Sequence, residues 1–123
     1  MYVGSALGPG GLAARLQRHL RAKKRLFWHI DHLLTQACIV TWLVDDSGRR
    51  LECAWARALV STLGVQVAVP RFGASDCRCA THLAYVGASA EPSWDRWQSS
   101  LAELGESIRR AEPGATAQNI VWT

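Results

Sequence analysis

The chain has 123 residues, enough to bury one hydrophobic core and too few for two ordinary ones. Apolar residues make up 49% and charged residues 20%, with a mean hydropathy of -0.01, a globular balance that suggests neither a disordered tail nor a membrane protein. The longest apolar run, 37–44, falls far short of the roughly 20 residues that span a bilayer.

The net charge of +4 is concentrated early. Six of the fourteen Lys and Arg residues (Arg15, Arg18, Arg21, Lys23, Lys24 and Arg25) lie within residues 15–25, and no acid precedes Asp31. Such a local field favours phosphate, although a solvated basic helix face has the same composition. No basic and then apolar leader opens the chain, so the cytoplasm is expected and the four cysteines are expected as thiols or metal ligands.

In chain order, residues 2–6 read as a short strand that enters the glycine-rich turn Leu7-Gly8-Pro9-Gly10-Gly11. Leu12, Leu16 and Leu20 recur every fourth residue, which predicts an amphipathic helix to about Lys24. A shorter helix is expected over 28–36, and a β-branched and aromatic strand over 38–44, closed by the turn Asp45-Asp46-Ser47-Gly48. Residues 50–63 are helical in pattern, with Gly64 as the stop. Strands are expected at 65–69 and 83–86 around a loop at 70–81. The character changes after Gly87. We expect a domain over 1–87, then a linker and C-terminal helix over 88–123, in which Trp94, Trp97, Leu101, Leu104 and Ile108 form an apolar stripe for the chain's own core or for a protein partner.

Tyr2-Val3-Gly4 leading into a helix with Arg15, and His19 one turn later, resembles the core of the GIY-YIG nuclease superfamily. Two further stretches narrow the resemblance: Phe27-Trp28-His29-Ile30-Asp31-His32-Leu33-Leu34 and Phe72-Gly73-Ala74-Ser75-Asp76-Cys77-Arg78-Cys79-Ala80-Thr81-His82-Leu83 are similar to signatures of the domain of unknown function 123 subgroup. The resemblance implies an α+β fold, a small antiparallel or mixed sheet flanked by helices. It also implies DNA as partner and phosphodiester hydrolysis as activity, with a tie to DNA repair because some relatives join this domain to a base-excision glycosylase. Catalytic roles would fall to Tyr2, Arg15 and His19, and Glu52 would hold Mg²⁺ or Mn²⁺. The earlier strand that carries the superfamily's first tyrosine has no counterpart here, so an N-terminally truncated form is expected, with strand 2–6 left at an open edge.

A fixed guanidinium suits this chemistry because it donates two hydrogen bonds to the nonbridging oxygens of a phosphodiester. At 100° per residue, Arg15 and His19 fall beside the leucine stripe, and Arg18, Arg21 and Arg25 on the other flank, where with Lys23 and Lys24 they would meet DNA phosphates. Cys77, Cys79 and His82 have the character of a zinc cluster, with Asp76, Cys53 or His29 as conceivable fourth ligands; a capped loop with apolar cysteines is the alternative. His29 and Asp31 are expected to line the cleft or, for Asp31, to support the second helix. Two functions follow: a metal-dependent endonuclease, or a noncatalytic DNA-binding remnant of that fold.

Overall fold

The computed structural model describes residues 1–39, 41–62, 64–87 and 98–102, together with the backbone of 109–111. The chain forms two compact units that interleave in sequence: Met1–Ser5 with Arg49–Glu106, and Ala6–Gly48 with Ser107–Thr123. Helix and strand are mixed, and no helix among the described residues is long and apolar enough to cross a membrane.

In the unit built on Ala6–Gly48, helix α1 spans Gly11–Leu20. Its N-cap Gly10 has φ 82°, and a Cβ there would meet the Ala14 Cβ at 2.7 Å, so the turn into the helix requires glycine. The expected continuation to Lys24 does not form. Arg21 is extended instead, and the Lys24 ammonium turns back to donate to the carbonyls of Arg18 and His19 at 3.3 and 2.7 Å, capping the helix end. This also explains why Leu16 of the predicted stripe is buried while Leu20, at the last turn, is 47% exposed. Helix α2 is limited to His29–Leu33, followed by a turn. Strand β1, Trp42–Val44, is shorter than expected and pairs antiparallel with β2, Arg109–Ala111, in the register Trp42 to Ala111 and Val44 to Arg109.

In the other unit, helix α3 spans Glu52–Ser61 and buries Trp55, Ala56 and Leu59. Around it lie the buried Val3, Ala74, Cys79, Ala84 and Leu101. The segments predicted as strands at 2–6, 65–69 and 83–86 meet as isolated bridges, Tyr2 with Leu83 and Gln66 with Tyr85. On the side that faces Leu83, the Met1 amino group also donates to the Ala84 carbonyl at 2.7 Å. The 70–81 loop is tightly built. Gly73, at φ 69°, leaves room for the Tyr2 ring and for His82, whose atoms a Cβ would meet at 3.1 and 3.2 Å. Of the C-terminal helix predicted over 93–110, residues 98–102 are helical with Leu101 fully buried, whereas Arg109 and Arg110 belong to β2 and pair with β1 instead; the linker from 88 and the remaining stripe residues lie outside the described residues.

Candidate functional site

Helix α3 and the loop that follows it at 77–82 bring four ligand-type side chains together. The Sγ atoms of Cys53, Cys77 and Cys79 and a ring nitrogen of His82 all lie within 4.8 Å of one another. The loop is preshaped by Arg71, which has φ 62° and donates to the carbonyls of Ala74, Cys77 and Cys79. The His82 backbone is held on both sides, by its own N–H to Phe72 O at 2.8 Å and by Val3 N–H to its carbonyl at 2.9 Å. The His82 side chain is 1% exposed; Nε2 lies 3.4 Å from Cys77 Sγ, and Nδ1 lies 3.2 Å from Glu52 Oε1 without the geometry of a hydrogen bond. Hydrogen bonding with Cys79, burial and the nearness of Cys77 push the Cys53 thiol pKa up, because three crowded sulfurs do not share negative charge without a cation.

In the other unit the basic segment is organised by Asp31, which is fully buried. One carboxylate oxygen accepts from Arg18 Nη1 at 2.6 Å; the other accepts from Arg18 Nη2 at 2.8 Å, Phe27 N–H at 3.0 Å and Trp28 N–H at 2.9 Å. The Trp28 bond closes the first turn of α2 from its third position. The Arg18 fork, followed by the two backbone donors and against the opposing effect of burial, holds the Asp31 carboxyl well below its usual range. Both Arg15 and Arg18 lie over the Trp28 indole, at 4.1 and 4.0 Å from ring centroid to guanidinium carbon. Arg18 is fully engaged. Arg15 is half-buried and has no hydrogen-bond or ion-pair partner among the described residues. His19 packs edge-on against Trp28, and burial, followed by the Lys24 charge, lowers its pKa to about 4.

A family model described as domain of unknown function DUF123 matches residues 1–105. The chain belongs to that family. Neither the curated proteins nor the solved structures compared with it gave a match.

The predicted site residues of this DUF123 chain fall into distinct settings. Tyr2 packs its ring edge-on to Phe72 at 6.0 Å and over Gly73. Glu52 faces His82 beside the thiols. Of the residues weighed as fourth ligand, Cys53 joins Cys77, Cys79 and His82; Asp76 is exposed, and His29 belongs to the other unit. Arg18, expected to meet phosphates, is bound to Asp31, and Lys24 caps α1, whereas Arg21, Lys23 and Arg25 are exposed. The expected separation of Arg15 and Arg18 onto different flanks is not observed, because Trp28 draws both guanidinium groups to its ring. Sequence reasoning missed Arg71 as the clamp of the cysteine loop and Phe27, whose ring is 73% exposed although its N–H is tied to Asp31. A loop arginine carries no signature of the backbone it will bind.

Proposed function

We propose that this protein is a nucleic-acid-binding domain of the GIY-YIG type, in which Arg15 grips a backbone phosphate and the exposed Arg21, Lys23 and Arg25 supply the surrounding field. The observation that carries this reading is the Arg15 guanidinium: stacked on Trp28, half-buried, and with no acceptor among the described residues. A stacked, partly desolvated guanidinium is preorganised for two charge-assisted bonds to phosphate oxygens. The test is titration of labelled DNA, single-stranded and duplex, at fixed salt. Arg15→Ala is expected to weaken binding by roughly tenfold or more, the worth of a hydrogen-bonded charge. Unchanged affinity overturns the reading.

Hydrolysis is the second reading, supported by the correspondence of Arg15 with the catalytic arginine of the superfamily the chain resembles. Mg²⁺ or Mn²⁺ at Glu52 fits poorly with what surrounds that carboxylate, since sulfur and imidazole suit a borderline ion and hard divalent ions favour oxygen. We therefore assign the Cys53, Cys77, Cys79 and His82 cluster to zinc, as a structural ion, and derive no hydrolytic step through Glu52. Nicking of plasmid DNA with added Mg²⁺ or Mn²⁺, lost roughly a hundredfold in Arg15→Ala, would establish the enzyme. No nicking across DNA forms would leave the binding domain.

A further inference from the structure

We infer that Glu52 is the outer carboxylate of a closed zinc centre made by Cys53, Cys77, Cys79 and His82, so that the residue at the superfamily's magnesium position serves the fold. The inference rests on the zinc assignment above and deepens it.

Zinc–sulfur bonds of about 2.3 Å and zinc–nitrogen bonds of about 2.0 Å in a tetrahedron place neighbouring ligand atoms roughly 3.5–3.8 Å apart. The Cys77 to His82 edge, 3.4 Å, already has that length, and the full set spans at most 4.8 Å, so a small contraction closes the site. Three sulfurs and one nitrogen complete the coordination of zinc and leave no open position for water, which marks a structural centre.

The His82 ring decides the role of Glu52. Nε2 faces the Cys77 sulfur, so Nε2 is the ligand and Nδ1 must carry the proton. Nδ1 is buried and makes no hydrogen bond, yet Glu52 Oε1 lies 3.2 Å away. Metal binding at Nε2 makes the Nδ1 proton a stronger donor, and a small rotation completes the bond to Glu52. Glu52 and Cys53 are consecutive on α3, while Cys77, Cys79 and His82 come from one loop. The ion therefore fastens the helix to the loop, with the carboxylate orienting the histidine.

The experiment uses the whole chain purified without chelator, its zinc content measured, and the zinc then exchanged for cobalt. One equivalent of zinc, and thiolate-to-cobalt charge-transfer bands for three sulfurs that persist in Cys38→Ser and weaken in Cys79→Ser, are expected. In a competition with a chromophoric chelator, Glu52→Ala is expected to keep the stoichiometry and weaken zinc binding ten- to a hundredfold, and Glu52→Gln, whose amide oxygen still accepts, to recover part of the loss. Equal zinc affinity in Glu52→Ala and the parent overturns the assignment of Glu52 while leaving the zinc centre. A cobalt spectrum without thiolate bands overturns the centre itself. DNA affinity, measured separately, bears on the Arg15 reading and on neither of these.

Discussion

Asp31 carries four hydrogen bonds on a carboxylate with no solvent exposure, and its partners span α1, the exposed loop and the start of α2. Removing one member of such a buried pair leaves the other uncompensated, so Asp31→Asn is expected to cost about 3 kcal/mol or more, read as a lower urea midpoint. Two groups couple this unit to pH in the same direction. The pKa of His19 is lowered from 6.5 to about 4, so between these values the unfolded chain binds more protons than the folded one and stability falls on acidification. Asp31 is depressed as well, and its contribution, complete above the ordinary 3.8, is lost as pH falls below it. Replacing His19 with Gln is expected to flatten the stability profile between pH 6.5 and 4 and to leave the drop at lower pH. A slope unchanged by that substitution would assign the effect to another group.

At the scale of elements, the decisive feature is the early end of α1. Had the helix run to Lys24 as its periodicity predicts, Arg21 would have continued the Arg18 flank; with Lys24 returning to cap it, Arg21 is extended, and Arg21, Lys23 and Arg25 stand exposed on the segment between α1 and α2. Neutralising these three is expected to lower the slope of log affinity against log salt by about 2–3 for duplex DNA, at roughly 0.9 per phosphate contact. Phe27 follows them, its ring 73% exposed and edge-on to Trp28, its backbone fixed by Asp31. On the nucleic-acid reading proposed above, this exposed ring beside cations would stack on unpaired bases, so Phe27→Ala is expected to weaken single-stranded DNA by roughly 1–3 kcal/mol and duplex DNA little. Equal losses on both forms would make Phe27 structural.

For the molecule as a whole, removing the zinc proposed for the thiol cluster is expected to act within that cluster's unit. Chelation should release the hydrogen-exchange protection of the Val3 and His82 amides, which belong to the unit that holds the thiol cluster, and spare the Asp31 amide, which bonds Trp28 O at 2.9 Å in the other. Simultaneous loss at all three would mean that the cluster stabilises the entire chain. The sequence by itself pointed to the family, through ordered motifs over residues 2–85 of the 1–105 that the family model matches, and placed α1, α2 and α3, because helical periodicity is a local signal, although each helix ends earlier than predicted and α3 stops at Ser61 with Thr62 as its cap, before Gly64. It also marked Cys77, Cys79 and His82, which are close in the chain. Tertiary structure decided the rest. Cys53 as fourth member of the cluster, Glu52 against His82, Arg71 across the loop, and the different contacts of Arg15 and Arg18 depend on which side chains meet at separations that no period encodes. Trp28 and Asp31 illustrate the physical reason: an indole attracts any nearby guanidinium, and only the placement of one buried carboxylate engages Arg18 and leaves the donors of Arg15 available.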